Sequence, residues 1–211
     1  MRIAVIGATG RTGMQVVEQG LARGHFVTAL ARRAEAMSRR HENLVTAAAD
    51  VLDRDTLLEA LTGSEAVVST LGIGASRQPT VIYSRGITNV LSAMAAKSIS
   101  KLAVISAAPV GPRAEEAFLQ RRVVFPLLEL VFGATYDDMR RMEALLRDSD
   151  VDWVSLRPPQ LVDKRAAGRY RVKANGPLPK ARSITCADLA TALLDSLDRE
   201  DLYRRAVFVA N

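Results

Sequence analysis

Cysteine is nearly absent: Cys186 is the only one in 211 residues. A lone thiol closes no internal disulfide, which excludes small secreted cross-linked scaffolds and fits a reducing cytosol. Histidine is as scarce. His25 and His41 have no further ligand at metal spacing, so both read as surface or loop residues and no metal is expected. Aromatic residues make up 5%, too few for the stacking platforms that bind single-stranded nucleic acid. Long hydrophobic runs are missing as well. Val123 to Phe132 is broken by Pro126 and Glu129 and is about half of the roughly 20 residues a membrane span needs. Met1 to Gly7 is too short for a signal-peptide core. The expectation is a soluble, cytoplasmic chain with no membrane partner, folded as one domain over 1–211.

The positive charge is concentrated in one place. The chain carries 29 basic and 23 acidic residues, a net charge of +6. Lys164, Arg165, Arg169, Arg171, Lys173, Lys180 and Arg182 fall in a segment with no Asp or Glu. The remaining chain holds 22 basic against 23 acidic residues and is close to neutral. The segment reads either as a solvated surface hairpin or as a patch beside a site for anionic ligands. A general polycation for nucleic acid is not indicated.

What is present is a rhythm of short apolar runs and helix-length amphipathic segments, the pattern of a parallel sheet covered on both faces. Strands are predicted at Ile3–Ile6, Phe26–Ala31, Leu44–Ala48, Ala66–Thr70, Leu102–Ser106, Trp153–Leu156 and Ala206–Ala210. Trp153 is expected in the core. Helices are predicted at Arg11–Arg23, Asp55–Leu61, Val81–Lys97 and Tyr136–Arg147, with a last one running to about Leu197. Thr185 to Asp188 reads as a capping box for that helix, with Cys186 as a small residue in the capping turn. The fold class is α/β: a Rossmann-type, doubly wound parallel sheet with a small C-terminal subregion on the substrate side. Between Pro109 and Thr135 the pattern is irregular. Its apolar run from Phe118 to Phe132 suits a core or dimer contact, or a wall or lid over a ligand, and the chain suits a monomer or a homodimer.

Gly7-Ala8-Thr9-Gly10-Arg11-Thr12-Gly13 joins the first strand to the first helix. A phosphate needs close backbone approach and unpaired amides at a helix start, and glycines at this spacing allow both. Where an NAD site places a carboxylate, after strand two, this chain has Arg32-Arg33. Two guanidiniums suit the 2′-phosphate of NADP(H). Asp50-Val51 is placed to meet the adenine, and Leu71-Gly72 to let the chain pass the cofactor ribose.

These pieces resemble the atypical short-chain dehydrogenase/reductases, within them the NAD(P)H-binding group around biliverdin-IXβ reductase/flavin reductase, and the NmrA-like regulators. The resemblance rests on Gly7–Gly13, Arg32, Asp50-Val51-Leu52, Ser106, Met142-Glu143 with Leu145-Leu146-Arg147, Arg157-Pro158-Pro159 and the helix start at Ile184–Ala190. It implies that Ser106 faces the nicotinamide and hydrogen-bonds the substrate, while Pro158, Pro159 and Gln160 line the same end. Two departures matter. Gln160 stands where relatives of the biliverdin-reductase type carry histidine. No tyrosine has lysine four residues on; Tyr136 has Arg140 instead. Alcohol dehydrogenation and epimerisation are therefore disfavoured. The expected activity is an NADPH-dependent reductase of a small planar conjugated acceptor, flavin- or tetrapyrrole-like, for which a carboxylate or phosphate would suit the basic segment. The alternative is a non-catalytic NADP(H)-binding redox sensor.

Overall fold

The computed structural model describes residues 1–33, 37, 39–74, 78–112, 120–174 and 176–211. In β1 (Arg2–Ile6), Ile3 and Val5 face one side of the sheet while Ala4 and Ile6 face the other, and all four are buried. A strand apolar on both faces must be covered on both, and this dictates the layering. The same holds for β2 (Phe26–Ala31), β4 (Ala66–Ser69), β5 (Lys101–Ile105) and β6 (Asp152–Arg157), whose residues are mostly buried. β3 (Leu44–Ala48) forms one edge and is half exposed. β8 (Arg171–Lys173) and β10 (Arg205–Ala210) complete the sheet, in the order β3-β2-β1-β4-β5-β6-β10-β8. All its pairs are parallel except β10 with β8. This is the doubly wound topology expected from the sequence, and its order reverses between β1 and β4.

Helices α1 (Arg11–Ala22) and α5 (Cys186–Ser196) cover one face, packing Val16, Val17, Leu189 and Leu193 against Ile3 and Val5. The other face carries α2 (Arg54–Ala60), α3 (Ile82–Ala96) and α4 (Phe125–Arg147). There Leu57, Val90, Met94 and Leu146 meet Ile6 and Trp153, which is core as expected. No described helix is long and apolar enough to cross a membrane.

Three local expectations are corrected. Helix α4 starts at Phe125 rather than Tyr136, after a π-helical turn at Gln120–Val124. Pro126 falls in its first turn, where a missing N–H costs nothing. Gly133 inside it costs only about 1 kcal/mol relative to alanine. Most of the apolar run is thus helix, although Phe118 and Leu119 lie outside the described residues. The basic segment is no hairpin. Its β8 pairs with the C-terminal β10, while the flanking β7 (Gln160–Val162) and β9 (Ser183–Thr185) pair in parallel. Arg171 donates to the carbonyls of Pro179 and Asn211, and Lys173 to that of Pro177, so these cations fasten the lobe that β7, β8 and β9 form after β6. The capping box is one-armed. Thr185 Oγ1 accepts from the Asp188 amide at 3.0 Å, but the Thr185 amide donates to Asn211 Oδ1. The Asp188 carboxylate instead accepts from Thr185 Oγ1, the amides of Ala167 and Gly168, and Asn211 Nδ2. The lobe has taken the group that would have capped the helix.

Candidate functional site

The turn after β1 has no room for side chains. Gly7 has φ +77°, and a β-carbon there would lie 3.0 Å from the Thr70 carbonyl oxygen. At Gly13 it would fall 2.2 Å from the Gly7 oxygen, so α1 rests directly on the strand end. Thr70 fastens this corner, its Oγ1 donating to Ile6 O at 2.9 Å. No side chain caps α1, and its first turn carries no acid. The amides of Thr9, Arg11 and Thr12 have no backbone acceptor among the described residues. Free amides and the positive end of the helix dipole converge there, which is an anion's environment.

From this turn a cleft of about 940 Å³ runs across the carboxyl ends of the strands. Gly7, Thr9, Gly10, Arg11 and Thr12 form its floor at one end. Arg32 stands beyond β2, exposed and without an ion-pair partner among the described residues. Asp50 and Val51 form a side wall. Asp50 Oδ1 also accepts from the Leu52 amide at 2.9 Å, so it shapes its own turn while lining the cleft. Val51 is pinned by Asn89 Nδ2, which donates to its carbonyl, and by Gly86, whose β-carbon would meet Val51 at 2.9 Å. Leu71 and Gly72 follow β4, and Ser106, Pro158, Pro159 and Gln160 close the far end. The structure therefore brings together almost every residue singled out from the sequence. Gly13 and Arg33 are the exceptions: Gly13 is packed beneath the turn, and Arg33 does not line the cleft.

At the far end two hydroxyls stand out. Ser106 is 2% exposed, and its amide donates to Leu156 O, yet its Oγ has no hydrogen-bond partner among the described residues. Thr135 Oγ1 is likewise buried without a partner among the described residues, and Thr135 lines the same cleft. Leaving a buried hydroxyl unpaired costs roughly 1–3 kcal/mol; such groups await an acceptor or donor from outside. Thr135 escaped sequence reasoning because α4 was expected to begin one residue later, and nothing local marks an unpaired hydroxyl. Tyr136, next to it, also lines the cleft. Burial and the nearby Glu129 charge push its phenol above the ordinary value, so it stays protonated near neutral pH. Arg140 is no stand-in for the missing lysine: Glu129, Asp137 and the Pro109 carbonyl occupy its guanidinium.

Pro158 and Pro159 are held from behind. The Ala108 amide donates to Pro158 O at 2.8 Å. Arg157 donates from Nε and Nη2 to Glu143, at 3.0 and 2.5 Å, and Ser155 Oγ adds a third bond to the same carboxylate. His25 Nδ1 meets the N-terminal amine, and His41 Nδ1 accepts from the Asn43 amide. No cluster of metal-ligating side chains occurs among the described residues.

A parallel sheet that reverses its order over a glycine turn and an uncapped helix defines a dinucleotide-binding Rossmann protein. The chain belongs to the NAD(P)H-binding family, whose model matches residues 7–200. An uncharacterised chloroplastic protein of Arabidopsis thaliana is 27% identical over 175 residues, covering 79% of this chain. The chain spans 61% of that relative's length. An oxidoreductase from Lactococcus lactis superposes with a TM-score of 0.82 at 16% identity, covering 100% of this chain and 91% of the other. A wide-type short-chain dehydrogenase/reductase from Veillonella parvula, solved with NADP, gives 0.80 at 17%, covering 100% and 94%.

Proposed function

We propose that the chain is an NADPH-dependent reductase of a planar conjugated acceptor, working in a reducing cytosol. The observation that carries this reading is the Ser106 hydroxyl, buried and without a hydrogen-bond partner among the described residues, at the opposite end of the cleft from Arg32. The residues fit the cofactor. Uncapped amides of α1 and its glycine turn would hold the pyrophosphate, and Arg32 would take the 2′-phosphate. Asp50 and Val51 would flank the adenine, with Leu71 and Gly72 along the ribose and Pro158 and Pro159 along the nicotinamide. When bound, NADPH supplies the hydride.

The chain's own part is to place the acceptor and exclude water. Ser106 donates to an acceptor heteroatom at the nicotinamide end, and Thr135 and Tyr136 border the same space. Gln160 closes it with an amide that cannot titrate. Tyr136 keeps its proton and Arg140 is engaged elsewhere, so neither is tuned to remove an alcohol proton. That suits reduction of an extended π-system, where positioning dominates and solvent delivers the final proton. NADPH oxidation assayed against flavins, quinones and tetrapyrroles tests the reading. Turnover with at least one class is expected. Tight NADP(H) binding without turnover across all three would replace it with a redox sensor.

A further inference from the structure

A second cavity, of about 500 Å³, lies against the cleft and shares Ala107, Tyr136, Pro159 and Gln160 with it. Its volume falls in the range that accommodates a drug-sized molecule. Phe125 and Leu128 reach it from the first turns of α4, Leu178 from the lobe and Phe208 from β10. Most of that wall is apolar. Among the described residues that line it there is no Asp or Glu, and there are two cations.

Arg157 is 9% exposed. Its guanidinium carbon lies 5.6 Å from the centre of the Phe208 ring, and Nε and Nη2 are taken by Glu143. Nη1 has no acceptor among the described residues. Gly111 approaches this edge so closely that a β-carbon there would meet Nη1 at 3.0 Å. Arg182 is the second cation, exposed and free of any ion pair among the described residues. Since Glu143 neutralises Arg157, the cavity carries one uncompensated positive charge, at Arg182, and one spare guanidinium N–H. An apolar chamber with those two features selects an apolar body carrying an acid, and it discriminates against cations.

We propose that this cavity binds an amphiphile with an apolar body and one anionic group. Resting on the reductase reading, it holds the acid-bearing arm of the acceptor whose ring lies beside Ser106. The preferred acceptors are therefore planar compounds with an apolar, acid-tipped arm, and the basic residue that matters to them is Arg182 rather than the lobe's charge as a whole.

The test uses two fluorescent probes with the same rings, anionic 8-anilinonaphthalene-1-sulfonate and neutral N-phenyl-1-naphthylamine, titrated into the full chain. The sulfonate is expected to saturate at one site per chain and to bind at least fivefold tighter than the neutral probe. Arg182→Gln should erase that preference while changing the neutral probe's affinity less than twofold. Leu128→Trp, which fills the chamber, should abolish both. Equal affinity for the two probes, or sulfonate binding indifferent to both substitutions, would overturn the proposal. NADP⁺ binding, followed by calorimetry on the same proteins, keeps the two readings apart. Its absence from the unaltered chain would sink the cofactor assignment, whereas the probes judge the cavity alone.

Discussion

Replacing Glu143 by glutamine should be among the most damaging isosteric changes in the chain. Glu143 is 1% exposed and accepts three hydrogen bonds, two from Arg157 and one from Ser155. Glutamine keeps the shape and removes the charge. Arg157, itself 9% exposed, then holds a buried guanidinium with no counter-charge. Breaking a buried pair in this way costs about 3–5 kcal/mol. In a domain of this size each kcal/mol lowers Tm by roughly 2–4 °C, so the expected fall is about 6–20 °C. The two charges desolvate one another, so removing both should cost far less than removing one. Glu143→Leu combined with Arg157→Met is expected to recover most of the loss, within about 1–2 kcal/mol of the original. Urea unfolding of the two singles and the double, followed by circular dichroism, measures all three terms. A Glu143→Gln loss under about 1 kcal/mol would mean that the pair is hydrated, and the reasoning from burial would fail.

Ser106→Ala removes a hydroxyl that has no partner to lose, so Tm should stay within a few degrees while turnover with a productive acceptor falls. Loss of one hydrogen bond of about 1–3 kcal/mol corresponds to a fall of roughly 5- to 150-fold; unchanged kinetics with NADPH would remove Ser106 from the site. Asp188 makes a pH signature. Burial opposes its charge, but the bonds from Thr185, Ala167, Asn211 and Gly168 prevail and hold its carboxyl below the ordinary 3.8. Its stabilisation is present above that value and lost as pH falls through the lower, folded one. The Tm gap between the chain and Asp188→Asn should therefore close below about pH 4; a gap constant from pH 6 to 3 would contradict it. Tyr136, with its phenol held above the ordinary value, should contribute no ionisation to the rate profile between pH 6 and 9. An inflection there that disappears in Tyr136→Phe would show the opposite.

The sheet and its turn were legible because they repeat local rules: two-sided apolar strands, glycines where backbone meets backbone, and an arginine where an acid would mark NAD. Gly13 illustrates the limit. Its spacing marks it as part of the turn, but only the 2.2 Å approach to Gly7 O shows how tightly it packs against the strand end. The start of α4 was hidden because Pro126 and Gly133 look like breakers, although one occupies the permissive first turn and the other costs little. Asp188 followed the capping pattern and then bonded to backbone amides 20 and 21 residues away in sequence. Unpaired hydroxyls such as Ser106 and Thr135 leave no trace in a sequence, since satisfaction depends on partners that arrive from other elements. The second cavity is of the same kind, assembled from α4, the lobe and β10.

The central claim, that the cleft binds NADPH with Arg32 on its 2′-phosphate, is most directly tested by calorimetric affinities of Arg32→Ala for NADPH and NADH. A charge-assisted contact worth about 1.5–3 kcal/mol predicts a roughly 10- to 150-fold loss for NADPH. NADH, which lacks the phosphate, should change less than about twofold. Equal losses for the two cofactors, or an unaltered chain that prefers NADH, would contradict the assignment.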